Sequence, residues 1–197
     1  MVIGNLIQYR HAGRGMILKV ARLGNPVLRM KARPVPVDQI RLDGLQAFIQ
    51  SLLETMREYD GVGIAAPQAH VSSRIAVIQV DHNPRYPRAP KIPLTVLINP
   101  RLRPISRAVE RDWEGCLSVE GLRGVVARWR EVEVRAYNGR GVPVRFRARG
   151  FFARVIQHEV DHLEGKVFLD RMKDLRTLTH LTEYARYWTK RSRGQSR

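Results

Sequence analysis

Arg154-Val155-Ile156-Gln157-His158-Glu159-Val160-Asp161-His162-Leu163-Glu164-Gly165 is the stretch on which the reading of this chain turns. It contains an H-E-x-x-H pattern, His158-Glu159-Val160-Asp161-His162. Val155, Ile156, Val160 and Leu163 recur at helical spacing, no proline interrupts them, and Gly165 offers a C-terminal stop. On a helix, residues i and i+4 share one face, so both imidazoles can reach one metal ion. The glutamate between them can then reach a water on that ion. The competing reading is two ordinary histidines on one helix face. A metal site also needs a third ligand, an oxyanion stabiliser and a substrate groove from elsewhere in the chain.

Length and composition bound the rest. The 197 residues fit one domain, and a 44% hydrophobic content supplies a core. No apolar run is long enough to span a bilayer and no signal-peptide pattern is seen, so no membrane association is expected. Lys and Arg number 35 against 18 Asp and Glu, a net charge of +17, which suggests a polyanionic partner such as nucleic acid or a ribosomal surface, with an arginine-rich proteome as the alternative. The basic residues are scattered except for Lys190–Arg197. No acid precedes Asp38, as in an organellar transit peptide, but no serine precedes Ser51 and the chain reads as structured from about residue 21. A cytoplasmic protein is expected. Residues 1–20 read as an N-terminal extension with Met16 as an alternative start, 21–172 as the catalytic domain, and 173–197 as a C-terminal helix and basic tail. The single cysteine, Cys116, excludes an internal disulfide and is either a small buried hydrophobe or a metal thiolate.

In chain order, the prolines of residues 21–37 predict an extended segment. Asp38 is the expected N-cap of a helix from Ile40 to Tyr59, with Leu45, Phe48, Ile49, Leu52, Leu53 and Met56 on its buried stripe. Gly61-Val62-Gly63-Ile64-Ala65-Ala66-Pro67-Gln68 leaves the backbone bare, either for close approach to a ligand or for a tight packing corner. Arg74–Val80 and Leu94–Asn99 read as strands, and Pro100–Glu110 as irregular. Glu114-Gly115-Cys116-Leu117-Ser118 reads as a strand-to-turn transition that gives the thiol access. Asn138-Gly139 joins two alternating segments, Glu131–Tyr137 and Gly141–Arg149, into a hairpin with charged outward positions. A last helix is expected from Leu175 to Arg191. Short strands, one hairpin and isolated helices without a βαβ rhythm predict an α+β fold.

Cys116, His158 and His162 together offer three ligands and an open position for water, the set a catalytic metal needs, with Glu159 free to move protons. The bare loop, Glu114–Ser118 and Gln157–His162 resemble the three signature motifs of the peptide deformylases, in that family's order and spacing, over about Leu23 to Leu169. The resemblance implies antiparallel strands around a central metal-binding helix, followed by a C-terminal helix. It implies removal of the formyl group from the N-terminal formylmethionine of nascent peptides, with release of formate. Cys116, His158 and His162 would hold ferrous iron, replaceable by zinc, nickel or cobalt. Glu159 would be the general acid and base, and the Gln68 amide and the Leu117 N–H would stabilise the oxyanion. Val62, Gly63 and Gly115 would pair with the peptide backbone, and Gln157 would orient the site from behind the ligands. Val62, Phe151, Val155 and His158 would line the methionine pocket, with the Arg154 stem over it and its charge in water. Arg123 would meet the distal peptide. The family also implies ribosome docking through a basic C-terminal segment, here Lys190–Arg197, and a monomer is expected.

Two other functions compete. A zinc endopeptidase would take Glu183 as its third ligand, since residue 168 is Phe where one peptidase subclass has His. A basic nucleic-acid-binding protein with a structural metal would need a fourth ligand, which no further cysteine supplies, and its aromatic content is low for base stacking.

Overall fold

The computed structural model describes residues 15–81 and 83–189. In chain order these form α1 (Asp43–Glu58), β1 (Gly63–Ala65), β2 (Ile75–Val80), β3 (Ile92–Pro104), β4 (Val109–Cys116), β5 (Val119–Trp129), β6 (Glu131–Tyr137), β7 (Pro143–Arg149), α2 (Gly150–Leu163), β8 (Thr179–His180) and α3 (Leu181–Glu183), the last running into a π turn, Tyr184–Trp188. The strands make two antiparallel sheets, β1-β2-β3-β6-β7 and β4-β5-β8.

The larger sheet lies between the two long helices. β2 alternates between them: Ile75 and Val77 join Ile49, Leu52 and Met56 of α1, while Ile78 and Val80 join Val155 and Ile156 of α2. Burial on both faces explains why β2 is an unbroken apolar run. Side chains such as Leu52 and Ile156, both fully buried, contribute about 1.5–3 kcal/mol each by leaving water. α2 is thus a buried central element, and its other side faces β4, β5 and the functional site.

Four expectations need correction. First, α1 starts at Asp43, not Ile40, and Asp38 sits in a separate 3-10 turn. The Ile40 carbonyl accepts from Gln46 Nε2 at 2.5 Å, and Gln46 also donates to the Gly139 carbonyl, so the approach to the helix is tied to the hairpin turn. Second, residues 100–104 continue β3, and β4 begins at Val109. A bulge between Ile98 and Arg101 absorbs Pro100, with Asn99 at φ 53° and its side-chain amide bonded to both backbone groups of Val35. Third, the C-terminal helix begins at Leu181 because residues 175–180 form a 3-10 turn and the strand β8. Fourth, residues 16–20 belong to the folded body, although the sequence places them in the extension. Met16 and Leu18 N–H groups donate to Ser51 Oγ and Thr55 Oγ1 on α1, and Leu18 packs on its core.

The Asn138-Gly139 hairpin forms as expected, with its charged positions on the outer face, where one of them is covered by its partners. Glu133 is buried beneath Arg103, Arg135 and Arg145, which supply its counter-charge. The basic cluster Lys190–Arg197 and residues 1–14 lie outside the described residues.

α2 ends where the chain must turn back under a neighbour. Gly165 has φ +71°, and a Cβ there would meet the Arg29 carbonyl at 2.6 Å. Gly165→Ala is expected to lower unfolding free energy by about 2 kcal/mol, from left-handed strain and the overlap together. Urea denaturation measures it; an unchanged midpoint would contradict the tight approach.

Candidate metal centre

The site lies where β4 runs out beside α2. The β4–β5 register slips between Gly115 and Cys116, which turns the chain and directs the thiol toward the helix. His158 and His162, one turn apart on α2, present their rings to it. Ligand atoms of Cys116, His158 and His162 all lie within 4.8 Å of one another. Cys116 Sγ is 3.2 Å from His162 Nε2. Among the described residues this is the one His, Cys, Asp and Glu group with metal-binding geometry. Burial opposes ionisation of Cys116, but the adjacent imidazoles outweigh it and hold the thiol well below its usual range.

A buried carboxylate sets the histidine orientation. Glu114 Oε2 accepts from His158 Nδ1 at 3.0 Å, which leaves Nε2 for the metal set. Arg128 donates to both Glu114 oxygens at 2.9 Å, and Arg154 adds a further bond at 2.9 Å. Arg128 also reaches Asp161 at 2.5 Å, and Asp161 is held in turn by Arg171. Burial would raise the Glu114 carboxyl, yet Arg128 and His158 prevail and hold it far below the carboxylate range. This corrects the placement of Arg154. Its guanidinium is not in water but buried on Glu114 and on the carbonyls of Val126 and Glu110.

Glu159 lies beside the ligands, 3% exposed, and its Oε2 has no hydrogen-bond partner. Burial pushes its carboxyl up to about 7, despite the opposing pull of both histidines. Gly63 makes room for it, since a Cβ on Gly63 would overlap the Glu159 carboxylate. The bare loop therefore serves close approach as well as packing.

Gln68 is held in one orientation. Its Oε1 accepts from the Ala65 N–H at 2.9 Å, so Nε2 points the other way, 3.5 Å from Cys116 Sγ and 3.2 Å from Ser118 Oγ. An amide N–H is thereby aimed into the site.

These groups open on a narrow cleft. Val62, Phe151, Val155 and His158 line it, as do Gly63, Gln68, Gly115, Leu117 and Glu159. β1 and β4, the strands that carry Gly63 and Gly115, are both edge strands of their sheets. Gln157 is on α2 but turned away. It bonds the N–H and carbonyl of Trp129 at 3.0 and 2.8 Å and fixes β5 against the helix. Arg123 is buried below the rim, its guanidinium between the rings of Tyr86 and Tyr184 at 4.7 and 4.8 Å. Glu183 pairs with Arg186 and is not part of the ligand set, against the endopeptidase reading.

Sequence reasoning missed Glu114 and Asp161 as charge centres, though both stand inside the motifs that it singled out. It also missed Arg128, and Arg85 and Tyr86 at the rim. Glu114 carried the one available signal, a charged residue at an inward strand position beside the cysteine.

A family profile described as polypeptide deformylase matches residues 17–177. The chain belongs to this family. Peptide deformylase 1 of Nitrosomonas europaea is 44% identical over 161 residues, covering 82% of this chain and 90% of that protein. Peptide deformylase 1 of Prochlorococcus marinus is 46% identical over 159 residues, covering 80% and 82%. Among solved structures, the Met-Ala-Ser-bound class I type b peptide deformylase of Acinetobacter baumannii aligns with TM-score 0.78 and 39% identity, over 80% of this chain and 99% of that one. The α+β fold with antiparallel sheets and a C-terminal helix is the fold of these deformylases.

The buried charges make a prediction. Arg128→Met removes the group shared by Glu114 and Asp161, and is expected to cost about 3–5 kcal/mol of stability. Chemical denaturation checks it; a loss below about 1 kcal/mol would show that Arg154 and Arg171 suffice.

Proposed function

We propose that this chain removes the N-formyl group from the N-terminal formylmethionine of nascent polypeptides, releasing formate, with a metal ion held by Cys116, His158 and His162. It is an enzyme of a metal-dependent hydrolase family. The observation that carries the reading is the convergence of one thiolate and two imidazoles beside a buried Glu159 whose Oε2 has no hydrogen-bond partner. That donor set suits ferrous iron, the proposed native ion, and equally zinc, nickel or cobalt. An ion bound there supplies Lewis-acid chemistry and a water acidified toward neutrality.

The chain's own groups divide the remaining work. Glu159 accepts the proton of the attacking water and returns it to the leaving amine, a role suited to a carboxyl poised near neutral pH. Gln68 Nε2 and the Leu117 N–H donate to the oxygen that gains charge at the formyl carbon. The substrate backbone adds as a strand between the free edges of β1 and β4, at Val62, Gly63 and Gly115. Val62, Phe151 and Val155, with one side of the His158 ring, enclose the methionine side chain. Arg123 acts on the distal peptide through the rim. Gln157 steadies the site by holding β5 to α2 and touches no ligand. Residues before about 16 form the extension in this reading, and the deformylase domain ends near residue 172. No described helix is long and apolar enough to cross a membrane. We place the enzyme in the cytoplasm as a monomer, with its basic tail as a ribosome-docking segment.

The test is formate release from formyl-Met-Ala-Ser by metal-loaded protein. Glu159→Ala should lower kcat by about 10²–10⁴ with metal content unchanged. Cys116→Ser should lose the metal. Metal retained in that variant would contradict the ligand set, and unchanged turnover in Glu159→Ala would contradict the proton role. Deleting residues 190–197 should weaken ribosome co-sedimentation and flatten its salt dependence; unchanged binding would remove the tail from the account.

A further inference from the structure

The rim of the cleft carries a cation that the proposed chemistry does not use. Arg85 lines the cleft, and its Nη2 stands 3.5 Å from the point where a Cβ on Gly115 would project. Gly115 lies on the edge strand β4, along which the peptide would run. Arg85 has no acidic partner among the described residues. Glu114 is taken up by its arginines and His158, and Asp112, which accepts from the Trp113 N–H through Oδ1, forms no ion pair with Arg85.

The backbone at Arg85 is held from two sides. Asn83 accepts from the N–H groups of Arg85 and Tyr86, and donates to the carbonyls of Asp60 and Gly61 beside the bare loop. From the other side Arg123 donates to the Arg85 carbonyl at 3.1 Å. Arg123 is itself gripped by Tyr86, which packs on Phe151, and by Tyr184. Tyr184 and Trp188 both pack on Trp113, at 4.9 and 5.2 Å between ring centroids. Both lie beyond residue 177, where the family match ends. Part of the rim is therefore built from a segment that the family pattern does not include.

We propose that Arg85, held by Asn83, Arg123 and Tyr184, forms an electropositive subsite that favours an acidic side chain at the second residue after the formylated methionine. A guanidinium without an acidic partner can pair with a carboxylate, and it repels lysine at the same place. The inference rests on the deformylase reading, and one assay separates the two. Formate release is measured on formyl-Met-Ala-Asp, formyl-Met-Ala-Ser and formyl-Met-Ala-Lys at low and high salt. The Asp peptide should exceed the Lys peptide in kcat/KM by about fivefold at low salt, mainly through KM, and the gap should shrink with salt. Arg85→Gln should bring the two peptides together, and Arg85→Glu should invert the order. Tyr184→Ala should narrow the ratio without lowering kcat on the Ser peptide. Equal rates on Asp and Lys in the unaltered enzyme, or a preference that survives Arg85→Glu, would overturn the subsite while leaving deformylation intact. No turnover of any of the three would overturn the deformylase reading and the subsite with it.

Discussion

Glu114 accepts four hydrogen bonds inside the protein, two from Arg128, one from Arg154 and one from His158. Each buried charge costs several kcal/mol in lost hydration, so the arrangement is tolerable only when every lone pair finds a donor. The return is orientation. With His158 Nδ1 occupied, its Nε2 is left to the thiolate and to His162. Asp161 extends the same network along α2, because Arg128 bridges the two carboxylates and ties β5 to the helix. The network thus joins strand to helix at the one place where the ligands from each must meet.

The cleft follows from a second constraint, the absence of side chains where backbones must come close. Gly63 lets Glu159 sit against β1, and burial there raises its carboxyl to about 7. β1 and β4 are edge strands beside the Cys116, His158 and His162 cluster, an arrangement that most sheets avoid. The apolar wall of Val62, Phe151 and Val155 lines the same cleft as Gly63 and Gly115.

Much of the site was legible because its chemistry is local in sequence. The H-E-x-x-H helix, the lone cysteine in a glycine setting and the bare loop each announce themselves by residue type and spacing. The hairpin was legible for the same reason, from Asn138-Gly139. What escaped depends on tertiary partners. Pro100 looks like an interruption until the Asn99 bulge absorbs it. Residues 175–180 look helical until β8 pairs with β5. Arg154 looks like a surface residue on an amphipathic helix because its partner, Glu114, is 40 residues away in the chain. The rim was hidden altogether, since Arg85, Arg123 and Tyr184 come from three distant segments.

The account depends most on the ligand set, which X-ray absorption on the zinc-loaded enzyme reads directly. We expect one sulfur at about 2.3 Å and two imidazole nitrogens at about 2.0–2.1 Å, with a light oxygen scatterer completing the shell. In Cys116→Ser the sulfur signal should vanish along with most of the bound zinc. A shell of nitrogen and oxygen only in the unaltered protein would mean that Cys116 is a buried hydrophobe after all, and that the metal sits elsewhere.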